Sequence, residues 1–418
     1  MLQLFKNKWT ALFLSNFLGV YNDNFLKNTI IFISVAWVLP PWMTKSQLIS
    51  IVSACLIIPY LFLSPLGGRL AVIYSKKKVF RFFKLIEIPI MLIASVAFYL
   101  QNAMLAIFAV LLMGIQSCLY SPSKYSLIRD IGGEEGVSYG SGVFETMAFM
   151  GILIGTVTAS VISDTGLQWS VYLIFLGVAI AGYVVTRDIR ATELPESGTD
   201  NQQLNPVGFI LNSYRFAKNY PLLNTAVFGA SSFWLIGGML QMNLVIHTGN
   251  VYHATNSTTG FVMAMAAVGI ALGCWAAGKI SFNSSNKGLI LAGIIVMSAM
   301  LGILTFVRLN FELYVLIVFS AAFSGGFFQV PNLTILQQSG VGRKLGDMVA
   351  YLNLVTFIFV LIGTFLFWLV TFISNENSHV VFGSILTVCL LVSSYFIFKS
   401  DVFYKETINM LTKKNKIT

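Results

Sequence analysis

Twelve long apolar stretches take up most of this 418-residue chain, and no other feature so narrows what it can fold into. A helix needs about 20 predominantly apolar residues to cross a bilayer. Hydropathy places such stretches near 9–38, 46–74, 79–100, 103–128, 137–163, 168–187, 221–247, 258–280, 287–307, 311–338, 345–373 and 379–398. Backbone groups in lipid must be hydrogen-bonded within their own segment, so the expected class is an all-α membrane protein. With 56% hydrophobic and 10% charged residues and a mean hydropathy of +0.80, the chain has no room for an enzyme-sized polar domain. A soluble protein carries about 25% charged residues. The first apolar run is too long for a signal peptide and lacks a small-residue cleavage site, so it is expected to remain as a span. Cys55, Cys118, Cys274 and Cys389 all fall inside apolar runs without paired spacing and read as buried small hydrophobes.

The longest polar stretch, Asp188 to Tyr220, separates the sixth and seventh runs and contains Glu193, Pro195, Glu196, Ser197, Gly198, Asp200, Asn201 and Pro206. The expected division is a six-helix bundle over 1–190, a linker over 191–220, a second six-helix bundle over 221–400 and a basic tail over 401–418. Pro206 to Lys218 has the pattern of an amphipathic surface helix. Lys6, Lys8, Lys76–Lys78, Arg81, Lys84, Arg129, Arg187, Arg190, Arg215, Lys218, Lys279, Lys287, Arg343, Lys344 and the tail lysines fall on one side, with only Lys45 and Arg308 opposite. The positive-inside rule then predicts cytoplasmic termini and a cytoplasmic central loop. The net charge of +10 follows from this topology and does not point to nucleic acid.

The halves repeat. Ser121-Pro122-Ser123-Lys124 is echoed by Val330-Pro331-Asn332-Leu333, and Gly155-Thr156 by Gly363-Thr364, at offsets of about half the chain. Two parallel six-helix repeats describe the fold of major facilitator transporters.

Polar groups inside the runs mark the expected site. Asn22-Asp23-Asn24, with Asn16 before and Lys27 after, lie in the first run. Ionisable groups at bilayer depth mark transport paths. Asp23 and Lys27, four apart, share a helix face and are expected to neutralise one another. The fourth helix contributes Tyr120, Pro122 and Lys124, with Pro122 expected to kink it and, like Pro331, to serve a gate. Glu145 in the fifth helix is expected to join Asp23 in a sodium or proton site, or to pair with Arg129 or Lys124. Glu87 reads as peripheral, and His247, His253 and His379 as surface groups in outward loops. Gly151-x-x-x-Gly155 and Gly269-x-x-x-Gly273 permit close helix approach and are expected to pack against each other where the halves meet. No pattern supports metal catalysis or a nucleophile triad, so the chain is expected not to be an enzyme.

In combination, Phe17-Leu-Gly-Val-Tyr21-Asn-Asp23-Asn, Leu119-Tyr-Ser-Pro122-Ser-Lys124-Tyr-Ser-Leu-Ile and Ser141-Gly142-Val-Phe-Glu145, followed by Gly151, Gly155 and Asp164, resemble the bacterial lysophospholipid transporters of the major facilitator superfamily. The carboxyl half resembles them more loosely, through Ser231-Ser-Phe233-Trp234; Gln241 stands where an arginine is expected, and Val72 where the superfamily has an aspartate. The resemblance implies alternating-access movement of lysophospholipids such as lysophosphatidylethanolamine from the outer to the inner leaflet of the bacterial inner membrane. It also implies a membrane-associated acyltransferase/acyl-carrier-protein synthetase as partner, and no cofactor beyond a coupling cation, sodium or proton. The first, fourth, seventh and tenth helices would line the cavity, with Asp23 on a headgroup amine or cation and Lys27 or Lys124 on the phosphate. Rival readings are a facilitator of a soluble small molecule or drug, and a non-transporting scaffold for the acyltransferase.

Overall fold

A computed structural model describes residues 7–33, 37, 39–41, 43–165, 168–195, 204–281, 287–399 and 401–413. Lys6, the linker residues 196–203, Lys414 and Lys416 lie outside these, as do the side chains of Lys45, Asp164 and Lys413. The described residues form α1 Thr10–Ile33, α2 Lys45–Ile73, α3 Lys76–Tyr99, α4 Ala103–Thr165, α5 Gln168–Thr186, α6 Pro206–Ala217, α7 Leu223–Tyr252, α8 Asn256–Ile280, α9 Gly288–Phe306, α10 Phe311–Gln337, α11 Leu345–Ile373, α12 Ser378–Lys399 and α13 Asp401–Lys413. No strand occurs among them.

Ten of these helices are long and apolar enough to cross a membrane. α4 has 63 residues, about three times the ~30 Å apolar thickness at 1.5 Å per residue, so it crosses twice. Its turning point is Gly133, at φ 65° and ψ −168°. Only glycine holds that backbone without a Cβ clash. α1, at 24 residues, is long enough for a further span, its hydropathy lowered by the asparagines, Asp23 and Lys27. Twelve crossings follow. The expected fourth and fifth helices are thus two arms of one helical run, and the break falls at Gly133 rather than at Pro122, through which the helix continues.

Helix starts follow local chemistry. Thr44 and Gln47 form a capping box on α2, Ser75 caps α3, and Asn205 followed by Pro206 starts α6. The expected surface helix therefore forms, its buried face carried by Phe209, Ser213 and Ala217.

Contacts divide the chain into two compact units, Met1–Gly133 with Met150–Asn219 and Gly340–Leu354, and Glu134–Phe149 with Tyr220–Ser339 and Val355–Thr418. In the first unit α5 packs against both α1 and α3. Phe175 meets Phe25 at 5.2 Å and Phe98 at 5.7 Å, both edge-on. At the basic end of this unit the Glu193 carboxylate accepts from the Lys76 and Lys77 amides at 2.6 and 3.2 Å, compensating orphan donors of the first turn of α3. The Lys76 ammonium pairs with Asp130 at 2.7 Å. Arg343 donates to the carbonyls of Val72, Tyr74 and Leu194 at 2.6, 2.6 and 2.5 Å, bridging the end of α2 and the segment after α5.

In the second unit α10 is central and packs on α7, α8 and α9. α13 docks on the start of α9, where Glu406 accepts from the Lys287 amide at 2.9 Å and Thr407 donates to the Gly288 carbonyl at 3.1 Å. His247 departs from the surface role expected of it. It is 3% exposed inside α7, bonded through Nδ1 to the Ser378 hydroxyl at 2.8 Å and ringed by Tyr314, Tyr252 and Phe382. His379 contacts the Leu304 carbonyl at 3.1 Å, and only His253, ending α7 at φ 49°, sits in a connection.

Candidate functional site

α1 presents Asn22 and Asp23 to α3 and α4, and the partners differ from those expected. Asn22 is fully buried and donates from Nδ2 to Glu87 Oε1 at 2.7 Å. The other oxygen of Glu87 accepts from the Lys84 ammonium at 2.5 Å, with the two side chains 1% and 0% exposed. Lys84 and Glu87 are three apart on α3 and so share a face. α1 passes close to both helices at Gly19, where a Cβ would sit 2.7 Å from Lys84 Nζ and 3.3 Å from the Tyr120 hydroxyl. The arm of α4 before Gly133 supplies Ser117, whose hydroxyl donates to Asp23 Oδ2 at 3.0 Å. One turn on, Tyr120 stacks on Phe80 with centroids 5.3 Å apart, and the Lys124 ammonium lies 5.3 Å from the Tyr120 ring. Asp23 is within electrostatic reach of Glu87, Lys84 and Lys124, and of Tyr60 on α2. Ser121 accepts from Asn353 at 3.0 Å, tying α4 to the start of α11.

Asp23, Asn22, Tyr120 and Lys124 therefore come together in the first unit. Lys27 makes no ion pair among the described residues, and Asp23 is not neutralised by it. A shared helix face allows such a pair but cannot compel it when the acid has partners on α3 and α4. Asn24 turns back to the Val20 carbonyl at 2.8 Å, Asn28 bridges to Thr156 at 2.9 Å, and Asn16 is buried within α1. Glu145 and Gln241 belong to the second unit. Glu145 is 2% exposed and near Cys274, whereas Gln241 is exposed and its side chain makes no hydrogen bond among the described residues. Pro331 lies within α10 as Pro122 does within α4, each leaving the carbonyl four residues earlier without its helical donor.

The two glycine pairs are corrected as well. Gly151 and Gly155 face α1, where a Cβ would come within 3.0 Å of the Phe17 carbonyl and 2.6 Å of the Tyr21 carbonyl. Gly269 faces the Phe319 carbonyl of α10 at 2.7 Å, and a Cβ on Gly273 would overlap the Phe323 carbonyl. Each pair packs a helix inside its own unit; the spacing announces a close approach without naming the neighbour. The second arm of α4 does meet α8, but at Gly142 and Gly278, where each Cβ would lie within 3.0 Å of the opposite backbone.

Lys84 and Glu87 are the residues the sequence reading missed, taken as a topology charge and a peripheral acid. Their signal was present: an acid and an amine three apart near the start of an apolar run. The assembled site offers two carboxylates, two ammonium groups and several hydroxyls within lipid-spanning helices. Chemically it matches a small polar group bearing both a cation and an anion.

Among curated proteins, the lysophospholipid transporter LplT of Pectobacterium carotovorum subsp. carotovorum (strain PC1) is 25% identical over 359 residues, covering 84% of this chain and 83% of that one. The LplT of Shigella flexneri serotype 5b (strain 8401) is 27% identical over 354 residues, covering 82% and 84%. Among solved structures, the human organic anion transporter MFSD10 superposes with a TM-score of 0.76 at 12% identity, covering 92% of this chain and 97% of that one. The Escherichia coli fucose:proton symporter FucP gives 0.70 at 13%, covering 92% and 97%. These two likenesses carry the fold alone. The family model of the Major Facilitator Superfamily matches residues 12–364. With twelve crossings, a charged cluster inside them and that match, the chain is a multi-pass membrane transporter and belongs to the major facilitator superfamily.

Proposed function

We propose that this transporter moves lysophospholipids, such as lysophosphatidylethanolamine, from the outer to the inner leaflet of the bacterial inner membrane by alternating access, for reacylation there. The observation that carries the reading is the group of Asp23, Glu87, Lys84 and Lys124 within the membrane-spanning helices, with Asn22 and Ser117 bonded into it. A zwitterionic headgroup cannot cross hydrocarbon cheaply, and its single acyl tail never needs to leave it. Asp23, partly accessible and held by one serine bond, takes the headgroup amine, and Lys124 takes the phosphate. The names of the curated relatives support the same substrate class.

A coupling cation, sodium or proton, occupies Asp23 in the part of the cycle when no amine does. The membrane is the inner one, with both termini cytoplasmic as the basic loops require. A membrane-associated acyltransferase takes the delivered lysolipid. The test is flipping of fluorescent lysophosphatidylethanolamine by purified protein in proteoliposomes, with and without a sodium or proton gradient. Movement above protein-free liposomes, lost in Asp23→Asn at equal reconstitution, is expected. Uptake of soluble solutes without lysolipid movement would replace this reading with that of a soluble-substrate carrier.

A further inference from the structure

Only one face of α6 is used to hold the fold together. Phe209, Ser213 and Ala217 recur every four residues and are buried where the helix packs on α2. A second stripe points elsewhere. Val207, Leu211 and Tyr214 follow the i, i+4, i+7 spacing of one helix face and are 65%, 51% and 43% exposed. Arg215 and Lys218 are exposed beside that stripe, and Lys218 Nζ lies 4.8 Å from the Tyr214 ring. No acidic residue occurs in the sequence from Pro206 to Tyr220. A single exposed leucine is ordinary. An apolar stripe that runs the length of a helix and is rimmed by cations marks an interaction surface.

The neighbours of α6 say what covers it. The Lys344 ammonium stands 5.4 Å from the Phe216 ring, and the adjacent Arg343 binds the carbonyls of Val72 and Tyr74, so α6 sits at the Ile73 end of α2. α11 starts at Leu345, and only Lys218 to Leu222 separate α6 from α7. All three neighbours are long and apolar enough to cross a membrane, so α6 lies where spans leave the bilayer. The surface present at that level is the lipid headgroup layer. α13 repeats the arrangement in the second unit: Phe403 is buried, while Tyr404 and Ile408, four apart, are exposed beside the Asp401–Lys405 pair. We infer that α6 is an interfacial helix that recognises anionic phospholipids. Val207, Leu211 and Tyr214 sink into the acyl boundary of the leaflet on the side of the basic loops, and Arg215 and Lys218 hold anionic phosphates above them. Tyrosine suits that depth, with its ring in apolar surroundings and its hydroxyl among headgroups. The basic side chains bury their stems and keep their charges at the phosphates, each contributing a factor of about five to binding an anionic surface. This site does not depend on which molecule the protein transports.

The four native cysteines are buried, so one introduced cysteine can be labelled selectively in the full chain. A fluorophore on Leu211→Cys, in the stripe, is compared with one on Asn212→Cys, exposed on the adjoining polar face. Both proteins are reconstituted in phosphatidylcholine vesicles containing about one third phosphatidylglycerol. Lipids brominated near the top of the acyl chains should quench the label at 211 roughly threefold more than that at 212, with aqueous iodide showing the reverse order. In phosphatidylcholine alone, or after Arg215→Gln/Lys218→Gln, the bromolipid quenching at 211 should be lost. Iodide quenching at 211 equal to that at 212 would place the stripe in water, open to a protein partner, and would overturn the inference. Bromolipid quenching at 211 that is indifferent to phosphatidylglycerol and to the two substitutions overturns it too, because the contact would then be apolar only. Should Leu211→Cys fail to fold, Val207→Cys, one turn earlier on the same stripe, must give the same contrast with Asn212→Cys, and its absence counts against the inference.

Discussion

Adding one methyl group at Gly155 separates a packing role from a moving interface. A Cβ there would stand 2.6 Å from the Tyr21 carbonyl and 3.2 Å from the Phe25 amide. Both are backbone atoms of α1, so relief requires shifting the helix that carries Asp23. Overpacking of this kind costs about 1–3 kcal/mol, set against a gain of roughly 1 kcal/mol from replacing a mid-helix glycine with alanine. Gly177 in α5 is the control, because a Cβ there meets nothing within 4 Å. Gly177→Ala should keep the whole propensity gain. Gly155→Ala should therefore be less stable than Gly177→Ala by about 1–3 kcal/mol, although the chemical change is identical. Thermal unfolding of the purified variants in one detergent measures the difference. Equal transition temperatures, with flipping abolished in Gly155→Ala alone, would refute the packing account and return Gly155 to a surface that moves during transport.

Lys27→Met should change stability by less than about 1 kcal/mol, since no counter-ion is left behind; a loss of the roughly 3–5 kcal/mol that follows from breaking a buried pair would show that Lys27 does have a carboxylate partner. Arg343→Ala removes three charge-assisted bonds and should cost about 2–4 kcal/mol, with limited proteolysis newly cutting the segment 187–195; an unchanged cleavage pattern would mean that this segment is held without it. Asp130→Asn should destabilise by about 3 kcal/mol or more by leaving Lys76, 2% exposed, without its carboxylate, while Lys76→Met/Asp130→Leu should recover most of that loss in the same unfolding assay.

Spans were legible in the chain because lipid imposes one rule on every segment: about 20 apolar residues with all backbone bonds made internally. The boundaries of α2, α9 and α12 consequently fall close to those read from hydropathy alone. Asp23 was legible for the same reason, as a charge where charge is costly. Its partners were not. Spacing along α1 offered Lys27, whereas the fold turned Asp23 to Ser117 and brought Glu87 and Lys84 beside it across more than 60 residues of chain. The same holds for Gly155, whose spacing announced a close neighbour that only the packing identified as Tyr21 of α1. Hydropathy is a property each segment carries by itself. A buried charge or a bare backbone patch is instead completed by a different helix, and which helix arrives is decided when side-chain volumes are packed together.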